Sequence, residues 1–274
     1  MLDATRTATP PQMQRVKGHA AVVMGARGLV DLAQSGSAKA MLPKVHGPVP
    51  EVVFLNTSGG LTSGDRLAYR LEAGAGTALT GTTQTAERAY AATADGPDAS
   101  VQVALSAGAG ARLDWLPQET ILFDRARLSR RTTAEIAGDA RFLFVETVVL
   151  GRAAMGETVR RLHLRDRREV RRAGRLEFLE PLEIDAALLA LRDHPVTLNG
   201  ARAIATIGLF ERGAEALADL LKPLSRDGVR TGVSGWNGKL VIRAEAADGY
   251  PLRRYVAEAL TTIRRAPLPR VWQM

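Results

Sequence analysis

The sequence predicts a mainly β fold of stacked strand–turn–strand layers, with two α-helices in its C-terminal third. Three observations lead there. Apolar or alternating runs broken by Gly, Pro, Asn and Asp dominate from residue 16 to about 205. One turn motif recurs: Leu71-Glu-Ala-Gly-Ala-Gly-Thr-Ala-Leu79 aligns with Leu105-Ser-Ala-Gly-Ala-Gly-Ala-Arg-Leu113, and Ala137–Phe142 fits as a third copy with one residue deleted. Helical periodicity enters only after residue 213.

The strands are expected at Val16–Met24, Val52–Leu55, Arg66–Leu71, Val101–Leu105, Phe142–Leu150 and Arg175–Ile184. A unit of this size cannot bury its own apolar face, whereas copies laid side by side can. The first helix follows from Ala214, Leu217, Leu220, Leu221 and Leu224 on one face, with Pro223 limiting its length. A strand–turn–strand unit comes next, Val229–Glu245, turning at Asn237-Gly238. Leu252, Tyr255, Val256, Ala259, Leu260 and Ile263 then form the stripe of the second helix, which Pro267 ends. Residues 1–15 read as a flexible tail and 16–274 as one domain, since no linker divides the chain.

Composition narrows the chemistry. The 274 residues contain no cysteine, which removes disulfides, thiol nucleophiles and cysteine zinc sites. The four histidines show neither H-x3-H nor HExxH spacing, so any metal handled here is held weakly, through oxygen ligands and at most one imidazole such as His46. No apolar run approaches the ~20 residues that span a bilayer, and the N-terminus lacks a signal-peptide core. The chain is expected in the cytoplasm, with no membrane partner.

Net charge is +8, nearly all from arginine, and eight arginines fall between Arg160 and Arg175. That segment has no aromatic residue for base stacking, and Asp166 and Glu169 dilute it. A solvated edge strand and a docking surface for an acidic protein both account for it better than nucleic acid does. The segment Asn56–Asp65 is rich in glycine and hydroxyls but lacks the lysine and following helix of a P-loop, which favours a tight turn. Near Gln118, the carboxylates Glu119 and Asp124 suit acid–base work or a hard cation. Asp65, Glu146 and Glu157 join them only if the fold converges; the alternative is arginine-paired carboxylates at strand ends.

Taken in order, these segments resemble the urease accessory protein UreD (UreH) family. The resemblance rests on Val53-Phe-Leu-Asn-Thr-Ser-Gly-Gly-Leu-Thr-Ser-Gly-Asp-Arg-Leu67, Thr82-Thr-Gln-Thr-Ala-Glu-Arg-Ala-Tyr90 and Leu113-Asp-Trp-Leu-Pro-Gln-Glu-Thr-Ile-Leu-Phe-Asp124. It continues through Gly151-Arg-Ala-Ala-Met-Gly-Glu157 and Pro269-Arg-Val-Trp272, covering residues 16 to 272. Ser63 departs from it, standing where the family commonly has glycine.

The resemblance implies a non-standard β-helical (β-solenoid-like) fold and a scaffold rather than an enzyme. It implies binding to apo-urease structural subunits and, through UreF, recruitment of the GTPase UreG for Ni²⁺ delivery. It implies no tightly bound cofactor, with Ni²⁺ in transit along an internal passage. By motif match, Asp65, Gln118, Glu119, Asp124 and, more weakly, Glu157 are placed on or near that passage. Leu217, Leu221, Tyr255 and Ile263 are placed near the UreF contact. Two alternatives stand beside this: an enzyme using Glu119 and Asp124, and a nucleic-acid binder driven by the positive charge.

Overall fold

The computed structural model describes residues 15–44 and 47–273. The tail residues 1–14, His46 and Met274 lie outside the described residues. The chain opens with β1 (Lys17–Gly25), β2 (Gly28–Gly36), β3 (Ala38–Met41), β4 (Glu51–Asn56), β5 (Arg66–Ala73), β6 (Ala78–Thr83) and β7 (Glu87–Ala89). It continues with β8 (Ala99–Ala107), β9 (Arg112–Leu116), β10 (Thr120–Leu122), β11 (Arg127–Ile136), β12 (Arg141–Leu150), β13 (His163–Arg172) and β14 (Arg175–Ile184). A five-residue helix, α1 (Ala186–Ala190), precedes β15 (Ala203–Phe210), α2 (Ala218–Leu221), β16 (Val229–Trp236), β17 (Lys239–Ala246) and α3 (Gly249–Arg264).

These strands form two mixed sheets. The first runs β14-β13-β11-β8-β5-β1-β2, and the second β16-β17-β15-β12-β9-β6-β4-β3, with β10 and β7 attached beside β12. The middle of each is parallel: β1, β5, β8, β11 and β13 in one, β4, β6, β9 and β12 in the other.

The repeated motif is the crossing between sheets. Each copy is a four-residue turn leading β5 to β6, β8 to β9 and β11 to β12. Leu71 pairs with Leu105, and Leu79 with Leu113, so the sequence repeat and the strand register coincide. The third copy needs no deletion: Ile136 sits opposite Ala107 and Arg141 opposite Arg112, an ungapped match. The turns also bond to one another, Gly76 N to Ala109 O (2.8 Å) and Arg141 N to Ala111 O (2.8 Å). Backbone amides that no ladder satisfies are thereby paired.

Leucines and aromatics facing inward from both sheets form one core, including Leu71, Leu105, Phe54, Trp115, Phe142 and Phe144. The opposite face of the second sheet is buried as well. Leu143 and Val145, alternating with Phe142 and Phe144 along β12, pack under α2 and α3 with Ile207, Leu240 and Leu252. Burial on both faces explains why β12 reads as an unbroken apolar run. Phe178 of β14 crosses to Phe144 and Phe210 at ring separations of 5.8 and 5.6 Å, joining the two sheets at that end.

Three expectations change. The first predicted helix is only a 3-10 turn, Ala214–Leu217, followed by the four residues of α2, because Gly213 opens it in a left-handed conformation and Pro223 follows at once. Helix α1 was not predicted; five residues give too little periodicity, and its one signal is the cap, Asp185 accepting from Leu188 N (2.8 Å). Strand β13 is no edge. It lies between β11 and β14, and Asp166 and Arg168 turn into the core on the same face as Leu164, where a solvated charged strand was expected.

The β16–β17 hairpin turns where expected, with Asn237 and Gly238 both at positive φ (47° and 71°). All six residues of the predicted α3 stripe are buried.

Candidate functional site

A row of buried polar groups runs through the core between the sheets. It begins at a cavity of about 70 Å³ walled by Phe54, Tyr69, Trp115 and Leu128, with Gln118, Glu87, Arg130 and Glu146 at its polar end. That volume exceeds the ~10–15 Å³ a single water needs. Register positions these groups: β7 and β10 pair so that Glu87 stands opposite Thr120, and β10 pairs β12 two residues beyond Glu146.

Arg130 of β11 anchors the row. It donates to Glu146 (2.7 Å), Asp166 (2.6 Å) and Thr120 Oγ1 (2.9 Å). Glu146 also accepts from Thr132 Oγ1 (3.2 Å). Asp166 lies between Arg130 and Arg168, which continues to Glu180 (2.7 Å) and Thr206 Oγ1 (3.0 Å). Glu180 then meets Arg243 (2.8 Å) at a second cavity, about 480 Å³, between β14 and the β15–β17 strands. Burial works against the charge on Asp166, but the flanking guanidiniums outweigh it and hold its carboxyl below the usual range.

Glu87 is the exception in this row. Desolvation pushes its carboxyl up to about 7, and the Arg88 backbone N–H and the Asn56 amide (3.3 Å) only partly offset that. It is therefore an interior group whose charge changes near neutral pH. Burial likewise pushes the Tyr69 hydroxyl up.

The residues expected at the passage do not converge. Gln118 borders the first cavity; its carbonyl accepts from Arg253 Nη1 (2.6 Å) and its amide donates to Val271 O (3.3 Å). Glu119 shares that guanidinium (2.8 Å) but faces a separate cleft under α3, beside Trp272. Asp124 accepts from Arg160 N and Arg161 N (2.8 and 2.9 Å), whose hydrogen bonds outweigh partial burial and lower its pKa. Glu157 accepts from Asp124 N (3.1 Å) and from Arg152, so these two carboxylates fasten neighbouring loops. Asp65 is buried and accepts from Val16 N and Thr62 N (both 2.8 Å). Among the described residues, no group of three or more His, Asp or Glu side chains is placed to hold a metal ion.

The segment Asn56–Asp65 is the tight turn expected. Gly59, Gly60 and Gly64 all have positive φ, and Asn56 Oδ1 accepts from Ser58 N (3.1 Å). Ser63 does not share that conformation; it is fully buried, and its hydroxyl accepts from Thr93 N (2.8 Å), so a side chain there is put to use.

On the helical side, Leu221, Tyr255 and Ile263 are buried against the second sheet and Leu217 is packed beside them. Their side chains hold the helices to the protein; Leu220, Tyr250 and Arg254 face outward instead. Arg253 joins the two regions, stacking on Trp272 (4.9 Å) while it binds Gln118 and Glu119.

Sequence reading passed over Glu87, Arg130, Arg168 and Glu180. Glu87 lay inside a quoted motif. The others carried one usable signal, a charge at the apolar phase of an alternating strand.

Comparison with known proteins bears on what this interior serves. A family model described as UreD urease accessory protein matches residues 16–273. The chain is 53% identical over 273 residues to a urease accessory protein UreD of Dinoroseobacter shibae, covering 97% of this chain and 95% of that one. It is 54% identical to one of Cereibacter sphaeroides (97% and 98% covered), and 49% identical to one of Jannaschia over the full length of both. The chain belongs to the UreD urease accessory protein family.

Proposed function

We propose that this protein is a urease maturation factor. It acts as a non-catalytic scaffold that binds apo-urease and links it to UreF and the GTPase UreG, so that Ni²⁺ reaches the urease active site. The observation that carries this reading is the family match across residues 16–273.

The interior polar row supports a transit role for nickel. Its oxygen donors, Gln118, Glu87 and Glu146, suit a hydrated divalent ion, and the arginines beside the carboxylates compete with any cation and keep occupancy brief. Glu119 stands next to the entrance. Asp65, Asp124 and Glu157 serve the passage by fixing the loops around it. The parallel strand register and bonded turns support reading the whole as one non-standard β-helical stack. UreF meets the outward side of the helices, around Leu220, Tyr250 and Arg254, above the half-buried Leu217 and the buried Leu221, Tyr255 and Ile263. Among the described residues, no helix is long and apolar enough to cross a membrane, and we place the protein in the cytoplasm.

The competing readings have less support. Glu119 lines the cleft under α3 whereas Asp124 is taken up by the Arg160 and Arg161 backbone, and the arginines at 165, 167, 168, 171 and 172 are already paired with carboxylates. Co-expression with urease structural subunits tests the proposal. The chain should co-purify with them, and urease from cells lacking it should be nickel-poor. Failure to co-purify, with unchanged nickel in urease, would sink the reading.

A further inference from the structure

The arginine run between Arg160 and Arg175 is neutralised unevenly. Those at 165, 167, 168, 171 and 172 pair with carboxylates of the chain itself. Among the described residues, Arg161 pairs with none, and it is exposed. It does not stand alone. The turn from β10 into β11 lies against it, Arg125 N donating to Arg161 O, and Arg127 of β11 stands opposite His163 of β13.

Arg125, Arg127, Arg161 and His163 line one open cleft of about 400 Å³, and no acidic side chain lines it. Arg127 and His163 are tied to Asp98 (2.7 and 3.6 Å), and His163 also to Glu183 (3.4 Å). The other two cations lack such partners. The nearest carboxylate oxygen to Arg125, on Asp124, is 3.9 Å away, and the other Asp124 oxygen accepts from the Arg160 and Arg161 N–H groups. Arg125 also sits at φ 65°, a left-handed conformation uncommon outside glycine, with its carbonyl fixed by Ala92 N (2.9 Å). Yet its guanidinium makes no hydrogen bond among the described residues. An exposed, unused arginine held in such a conformation points to a role outside the fold.

The donors select the occupant. Guanidinium forks match carboxylate and phosphate oxygens. A lone phosphate is best cradled by converging backbone N–H groups, but those of Thr93, Arg125, Arg161 and His163 all donate within the chain. The cleft is also of a size for side chains rather than for one ion. A second copy, at net charge +8 and with Glu177, Glu180 and Glu183 already paired, has little acidic surface to offer. We propose that this cleft is a docking site for an acidic segment of a partner protein, whose side-chain carboxylates bind Arg125 and Arg161. The assignment does not depend on the urease reading above.

Fluorescence anisotropy with the full-length chain and a labelled eight-residue peptide alternating Glu and Ser tests this at about 20 mM salt, where surface charges are little screened. Replacing both arginines, Arg125→Gln with Arg161→Gln, should weaken binding about ten-fold. The melting temperature should not change, because the backbone bonds at both positions remain. Arg27→Gln with Arg175→Gln removes two other exposed arginines and should change affinity by less than about two-fold. In the wild type, hydrogen exchange should slow at residues 92–94 and 125–127 when the peptide is present. Equal losses in the two double variants would mean that net charge alone attracts the peptide, which overturns the proposal. No binding by the wild type, or protection confined to other segments, overturns it as well. Inorganic phosphate that binds more tightly than the peptide by calorimetry, and is lost with Arg125 and Arg161, overturns it in favour of a free oxyanion.

Discussion

Replacing Arg130 by Met would strip the interior row of its anchor while keeping most of the side-chain volume. Arg130, Glu146 and Asp166 are all nearly inaccessible to water, at 6%, 2% and 2% exposure. Loss of the guanidinium removes contacts at 2.7 and 2.6 Å and leaves Glu146 with neutral donors only. Breaking a buried ion pair from one side costs about 3–5 kcal/mol, because the abandoned charge stays desolvated. At about 2 °C per kcal/mol for a chain of this size, the melting temperature should fall by roughly 6–10 °C.

The pH dependence fixes the mechanism. In the wild type the Asp166 pKa is depressed, so its contribution is present above the ordinary carboxyl range and disappears as pH falls through the depressed value. In the variant, burial without Arg130 raises the carboxyl pKa values, so stability falls as pH rises. Urea denaturation at about pH 7.5 and about pH 5 should therefore show a smaller deficit at the lower pH. Adding Glu146→Gln should recover part of the loss. A deficit under about 1 kcal/mol, or one equal at both pH values, would refute the reasoning.

Other predictions follow from single contacts. Glu87→Gln should flatten the stability–pH curve between about pH 4.5 and 7, because a raised carboxyl pKa makes the wild type lose stability through that window as the group ionises. Parallel wild-type and variant curves would reject it. Arg253→Met should speed amide exchange in α3 and the C-terminal turn while leaving the central strands unchanged, since Arg253 ties Gln118, Glu119 and Trp272 O together. Trp272→Ala should cost about 3–5 kcal/mol by calorimetry, removing a buried ring and its bond to Leu116 O (3.0 Å). Arg165→Ala, at an exposed pair with Glu183, should change stability by less than about 0.5 kcal/mol.

Much of the fold was legible because it is written in local pattern. The Ala-Gly turns repeat at the spacing of the strand register, and the Asn237-Gly238 hairpin and the α3 stripe follow from turn chemistry and helical period. What stayed hidden was pairing between distant strands. Arg130, Asp166 and Arg168 look like ordinary surface charge until β11 and β13 lie side by side and turn them into one interior. The carboxylates Asp124 and Glu157 drew notice by their motifs, yet their oxygens are occupied by backbone N–H groups that spacing alone does not reveal. Gln118 was readable because its string is distinctive. Glu87, in another such string, was missed because only the fold desolvates it.

The account turns on whether this chain brings nickel to urease. The most direct measurement is the nickel content of urease purified from cells expressing the structural and other accessory proteins, with and without this chain. The expected result is metal-poor, inactive urease in its absence and restored nickel and activity when it is supplied. Equal nickel content in the two preparations would contradict the account.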